Sequence, residues 1–260
     1  MKQNQNIMIK NYKWTDQQYE SHKFAVKEIY KIIDEVFLFL SENIRWALTD
    51  HDLFEYINGL LERYELKSNT PPLIAFGLNS STQNYLPNPS ESIIIRRNGW
   101  LLINITGKKN DENFSENIYA DLNTSIILGN SNTENEKKLF STVIETRDLC
   151  YEFLKEKVNK KLFISPFEIN NLAKKNFSKY NLEKYFLGNS ISMLGKKLSS
   201  QKEFADQLEQ LKEGSIINIA PSLYTDTIGV KSNLNVIISD FDTKITNQKE
   251  EKIKFIDTST

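Results

Sequence analysis

Two apolar runs and the polar insert between them constrain this chain most. They are Trp100-Leu101-Leu102-Ile103-Asn104 and Ile118-Tyr119-Ala120-Asp121-Leu122-Asn123-Thr124-Ser125. Runs of about four to eight apolar or β-branched residues bounded by turn formers read as buried strands. The residues between them, 108–117, are polar and charged and read as an exposed loop tip.

Helical periodicity surrounds this pair. From about Asp16, the apolar positions Tyr19, Phe24, Val26, Ile29, Tyr30, Ile33, Val36, Phe37 and Leu40 recur at the spacing of one long amphipathic helix. Thr49-Asp50-His51-Asp52 supplies a cap and early acidic charge for a second helix carrying Leu53, Tyr56, Ile57, Leu60 and Leu61. The aromatics Phe37, Phe39, Phe54 and Tyr56 read as core. Pro71-Pro72 closes the helical region, because proline removes a donor and restricts its neighbour. Strands are then expected over 73–77 and 92–95, with a loop over 79–89 and an Asn98-Gly99 turn. A helix is expected over 134–158. Another starts at Ser165-Pro166-Phe167-Glu168, where serine caps, proline takes the first turn and glutamate completes a capping box. Strands over 187–194, 216–219, 236–238 and 252–256 follow. Helices, strands, helices, strands: two similar halves without a linker, expected as one domain over 12–260 behind a loose tail over 1–11.

Composition excludes several classes. With 39% hydrophobic and 26% charged residues, 260 positions suffice for a real core, and a formal net charge of -1 gives no general drive toward nucleic acid or anionic membrane. Cys150 is the single cysteine, so no internal disulfide forms. The first ten residues lack the apolar core of a signal, and no apolar run approaches the roughly 20 residues that span a bilayer. The expected setting is cytosol or nucleus. The histidines, His22 and His51, are expected to be solvent-facing or capping residues without a catalytic role. Charge is uneven: residues 151–202 hold 11 basic and 4 acidic side chains, the remainder 22 and 30. Lys160, Lys161, Lys174, Lys175, Lys196 and Lys197 mark a candidate basic surface. No aromatics interleave with arginines, so DNA binding is expected to be weak or indirect.

Several stretches resemble the pita-bread aminopeptidases, among them the methionine and Xaa-Pro aminopeptidases. Leu101-Leu102-Ile103-Asn104 is similar to their "vliD" strand and residues 119–125 to "YxxDitRT". Residues 74–80 resemble "ivasGxNaa", residues 191–195 "GHgiG", residues 211–221 "LkpGmvftiEP", and residues 229–233 "GvRiE". The resemblance implies an α+β pita-bread fold, two pseudo-symmetric halves with helices packed on a curved antiparallel sheet. It places five former metal-ligand positions at Asn104, Asp121, Ser192, Ala220 and Asn233. The working enzymes hold two divalent cations there with two aspartates, a histidine and two glutamates, and the metal pair activates water. Neutral amides and alanine cannot supply the anionic oxygens that hard cations favour. No metal, no cofactor and no catalytic residue are therefore expected.

Among pita-bread proteins without metal ligands, residues 186–195 and 212–220 resemble the N-terminal domain of the large subunit of the FACT histone chaperone. That likeness implies a non-catalytic protein-binding groove, with core histones or other chromatin subunits as partners, and a nuclear location; without it the expected location is cytoplasmic. Two alternatives stand beside it. One is a metal-independent, creatinase-like hydrolase using Asp121 as base. The other is a scaffold or nucleic-acid-associated factor using the basic 151–202 stretch.

Overall fold

A computed structural model describes residues 14–129, 134–198 and 201–258. The tail expected over 1–11 lies outside the described residues.

Helix α1 (Asp16–Asn43) begins at Thr15, whose hydroxyl accepts from the Gln18 backbone while the Gln18 side chain returns to the Thr15 N–H. Helix α2 (Asp50–Arg63) starts at the same kind of box, formed by Thr49 and Asp52. Such a cap is worth about 1 kcal/mol. The stripe Ala25, Ile29, Ile32, Val36 and Leu40 is wholly buried, as helical spacing demands. Strands β1 (Leu66–Lys67), β2 (Leu73–Phe76), β3 (Gly99–Lys109) and β4 (Ala120–Leu128) follow. Strand β3 is the hub. It pairs antiparallel with β1, β2 and β4, setting Asn104 opposite Asn123 and Thr106 opposite Asp121.

The second half repeats this plan. Helices α3 (Glu134–Asn159) and α4 (Pro166–Lys179) precede β5 (Ile191–Leu194), the short α5 (Gln201–Ala205), β6 (Ile216–Ile219), β7 (Ser222–Tyr224), β8 (Gly229–Lys231), β9 (Leu234–Ile238) and β10 (Thr243–Ile245). Ser165 and Glu168 make the expected capping box, with Pro166 in the first turn. The four-stranded sheet runs β10-β9-β6-β5, and β7 pairs with β8. Each helix pair packs on its own strands, so the apolar interior forms two clusters, one per half. Among the described residues, no helix is long and apolar enough to cross a membrane.

Four expectations need correction. The last strand, β11 (Lys254–Ile256), joins β4 in parallel, so that sheet is mixed rather than wholly antiparallel. Parallel pairing needs a long crossover, and here the entire second half supplies it. Residues 92–95 form no strand beyond an isolated bridge between Ile94 and Thr49, because no neighbouring strand lies beside them. The strand expected from residue 187 starts only at Ile191. Gly188 turns at φ +76°, and the Asn170 side chain takes the Ser190 N–H. Finally, His22 is buried, not solvent-facing. Its Nδ1 lies 2.9 Å from the Tyr119 carbonyl and its Nε2 2.8 Å from the Thr246 hydroxyl, so Nδ1 carries the proton of the neutral ring.

The two halves meet along β4. One edge of β4 is taken by β3, but β11 covers the other only over residues 126–128. Side chains of the second half complete that edge. Asn235 Oδ1 accepts from the Asp121 N–H at 3.2 Å, and Asn233 Oδ1 from the Asn123 N–H at 3.4 Å. The Glu250 carboxylate receives the Ser125 N–H. In return, Asn233 and Asn235 amides donate to the Asp121 carbonyl at 2.5 and 2.8 Å. Residues 121, 123 and 125 alternate as an edge should, so asparagines replace a missing strand. Behind them, fully buried Arg147 donates to the Ser232 hydroxyl, the Glu250 carbonyl and Asp148. Burial pushes the Glu250 carboxyl up to about 7, against the lowering influence of the Ser125 N–H and Arg147.

Burial also holds the His22 pKa near 4 against an ordinary 6.5, outweighing the Tyr119 hydrogen bond. Between those values the unfolded chain takes up a proton that the folded chain refuses. Stability supported by neutral His22 is therefore complete above 6.5 and is lost as pH falls toward about 4. In urea unfolding, the stability gap between wild type and His22→Gln should narrow by about 3 kcal/mol from neutral pH to about pH 4. A constant gap would contradict the burial.

Candidate functional site

Strand alternation sends Ile103 and Ile105 into the first-half core and leaves Leu102, Asn104 and Thr106 on the opposite face. That face floors a pocket of about 480 Å³ at the junction of the halves. Leu73, Leu86, Leu102, Met193 and Leu194 give apolar walls, while Asn104, Thr106, Asp121, Ser192 and Lys231 contribute polar groups. One wall is the segment after β2, pinned by fully buried Asp50, which accepts from the Tyr85 hydroxyl at 2.7 Å and the Ile93 N–H at 2.9 Å. Burial, and then Asp50 itself, raise the Tyr85 phenol well above its ordinary range.

Asp121 is the centre of the floor. Its Oδ1 accepts from Asn104 Nδ2 at 2.6 Å and Thr106 Oγ1 at 3.0 Å. Its Oδ2 accepts from Asn218 Nδ2 at 2.6 Å and faces Lys231 Nζ at 3.8 Å. Lys231 Nζ also donates to Asn104 Oδ1 at 2.5 Å. The ammonium and the carboxylate are both largely buried, with side chains 13% and 7% exposed. Lys231 reaches this point because β8 presses on the first half: the Gly229 carbonyl accepts from the Trp100 indole at 2.9 Å, and a Cβ at Gly229 would collide with the Ser80 carbonyl.

Of the five former ligand positions, Asn104, Asp121 and Ser192 line this one pocket. Ala220 and Asn233 lie outside its lining. Ala220 is buried, with its N–H on the Ser190 carbonyl, and Asn233 is engaged with the β4 backbone. Three participants escaped the sequence reading: Thr106, Asn218 and Lys231. Asn218 left a signal, a polar residue between Ile217 and Ile219 in a fully buried strand. Lys231 left none, because a lysine at a strand end is ordinarily solvated.

The donor set does not fit a two-metal centre. Asp121 is its one carboxylate, and both its oxygens already accept hydrogen bonds. Among the described residues, no group of three or more His, Cys, Asp and Glu side chains converges as a metal site would require. A divalent cation placed at Asp121 would also meet the Lys231 ammonium, a like charge at short range.

The six lysines of the candidate basic surface do not form one uniform positive face. Lys160 pairs with Glu156, Lys161 with Asp240, Lys174 with Glu183, and Lys196 with Glu116. Lys175 and Lys197 are exposed. Asp240 and Glu116 come from outside the basic stretch, so folding offsets an imbalance that composition alone displays.

A fold of two helix-and-strand halves around a seam pocket defines the pita-bread class. The chain belongs to metallopeptidase family M24, whose family model matches residues 25–240. Solved structures agree on the fold. A dipeptidase from Pyrococcus horikoshii OT3 superposes with a TM-score of 0.76 at 16% identity, covering 93% of this chain and 63% of its own. An X-Pro aminopeptidase from Thermotoga maritima MSB8 gives 0.75 at 13%, covering 94% and 64%. A prolidase from Thermococcus sibiricus gives 0.73 at 17%, covering 93% and 62%. This chain thus spans less than two thirds of their lengths. No curated protein matches it.

If Lys231 and Asp121 act as one unit, their substitutions are not additive. Lys231→Met should destabilise by about 2–4 kcal/mol by stranding a buried carboxylate, whereas adding Asp121→Asn should recover part of that loss. Urea unfolding of the two single variants and the double variant measures the coupling; strict additivity would separate the two groups.

Proposed function

We propose that this chain is a non-catalytic M24 domain whose pocket binds an extended segment of protein. One observation carries the reading: the Lys231 ammonium sits on Asn104 and Asp121, where family peptidases need anionic ligands for metal. A pocket of this size, with apolar walls and a few convergent polar groups, suits a side chain of a bound peptide. Backbone amides of such a segment have Asn104, Ser192 and Thr106 within the same lining.

The hydrolase alternative is less favoured. Hydrogen bonds from Asn104, Thr106 and Asn218 occupy three of the roughly four acceptor sites of Asp121, and Lys231 faces the same carboxylate. A basic-surface scaffold is weakened by the four ion pairs that Lys160, Lys161, Lys174 and Lys196 make. Core histones, and with them a nuclear location, rest on the chaperone resemblance of residues 186–195 and 212–220. They are the first named protein ligand to titrate, with duplex DNA in parallel.

Two measurements test the proposal together. The purified chain should release no product from dipeptide, Xaa-Pro or aminoacyl substrates with manganese, cobalt or zinc added. It should bind a degenerate peptide pool saturably, and Leu86→Asp on the exposed pocket wall should weaken that binding about tenfold or more. Metal-dependent turnover would overturn the non-catalytic reading, and binding indifferent to Leu86→Asp would move the ligand elsewhere.

A further inference from the structure

The strand that floors the pocket continues outward into a group of lysines. Asn104, Thr106 and Lys108 share one face of β3, at about 7 Å for each step of two residues. The β1–β3 register sets Lys67 directly across from Lys108, an arrangement of like charges that disfavours strand pairing. Lys197 joins them from the turn after β5, beside Leu198 of the pocket lining. Lys108 is held in place: its Nζ donates to the Lys196 carbonyl at 2.8 Å and lies 4.8 Å from the centre of the Tyr119 ring. Burial, with Lys67 and Lys197 beside it, keeps the Lys108 ammonium below the ordinary lysine range.

Carboxylates are missing from this group. Among the described residues, no ion pair uses Lys67, Lys108 or Lys197, and the nearby acid, Glu116, is already engaged by Lys196. Lys109, on the other face of the strand, pairs with Asp111. Here three lysines stay together beside an apolar-walled pocket.

We propose that Lys67, Lys108 and Lys197 form an anion subsite that selects acidic peptide segments, with a carboxylate on the lysines and an apolar residue in the pocket. The proposal rests on the peptide-binding reading and names its ligand class. The strand geometry sets the carboxylate two to four residues from the apolar anchor, since an extended peptide advances about 3.3 Å per residue. A carboxylate fits better than a phosphate backbone. The cluster is small and contains no arginine fork for bidentate phosphate contacts. Basic segments are disfavoured by the same charges, so histone tails are not its natural occupants.

The test uses the full chain and three fluorescent peptide pools with a fixed leucine. Glutamate, glutamine or lysine occupies the positions two to four residues away on either side, and all other positions are degenerate. At low salt the glutamate pool should bind about tenfold tighter than the glutamine pool, and the advantage should shrink as salt rises. Lys67→Gln with Lys197→Gln, both at exposed positions, should remove most of that advantage while leaving glutamine-pool affinity unchanged. Equal binding of the glutamate and glutamine pools would overturn the acidic preference and leave the peptide-binding reading standing. Preference for the lysine pool or core histones would overturn it, as would displacement of the glutamate pool by inorganic phosphate or duplex DNA at lower concentration than by free glutamate peptide. If no pool binds, the peptide-binding reading fails, and this inference fails with it.

Discussion

The seam along β4 is the constraint on which the rest of the molecule depends. A strand inside a protein must satisfy the hydrogen-bonding groups on both edges, and β4 finds a full partner on only one. The second half completes the other edge with Asn233, Asn235 and Glu250 rather than with a continuous strand. This binds the halves through side chains in addition to apolar packing. It also explains why Asp121 can be polar in a buried strand. The backbone of that residue is anchored on the asparagines, while its carboxylate is turned into the pocket. Unpaired amides left at this depth would cost about 1–3 kcal/mol each, so the asparagines hold register as well as contact.

The same seam sets the charge balance at Asp121. In a two-cation centre the charge balance comes from outside the chain. Here it comes from Lys231, a tethered cation delivered by β8 and held by Asn104 and Asp121. A tethered ammonium differs from a divalent ion in two ways. It carries one charge on three directional protons, and it offers no open coordination position on which water could be activated. The pocket floor is a hydrogen-bonded surface in which Asn104, Thr106, Asn218 and Lys231 surround Asp121. Of the five positions that the resemblance assigns to ligands, two carry amides, one a hydroxyl and Ala220 a methyl, and the remaining carboxylate, Asp121, is met by Lys231.

The parts that were legible in the sequence share one property, local repetition. The capping box at Ser165 and the cap at Thr49 were read from an acceptor side chain ahead of acidic residues, whereas the box at Thr15 emerged only in the structure. Helix stripes and the β3–β4 hairpin follow from periodicity that neighbouring residues set together. Asn104, Asp121 and Ser192 were placed by resemblance and do share one pocket. Ala220 and Asn233 were placed in the same set, yet their side chains lie outside that pocket, because a residue's facing is fixed by how the second sheet docks. His22 was read as exposed for a similar reason. Its helix has an apolar stripe, and only the return of residues 235–248 beside α1 buries the histidine as well.

What the sequence determined by itself is the inventory and its local arrangement. It contains helix pairs before strand groups, a single cysteine, and no histidine beyond His51. Those follow from side-chain chemistry at fixed spacing and hold in any packing. Tertiary structure decided the rest. It brought Lys231 to Asp121 across 110 positions of chain, paired Lys160, Lys161, Lys174 and Lys196 with acids, and set Lys67, Lys108 and Lys197 together with no acidic partner among the described residues. The physical reason is range. Propensity and hydrophobic period act over a few residues, whereas the partner of a charge is whatever group the completed fold places within a few ångströms of it.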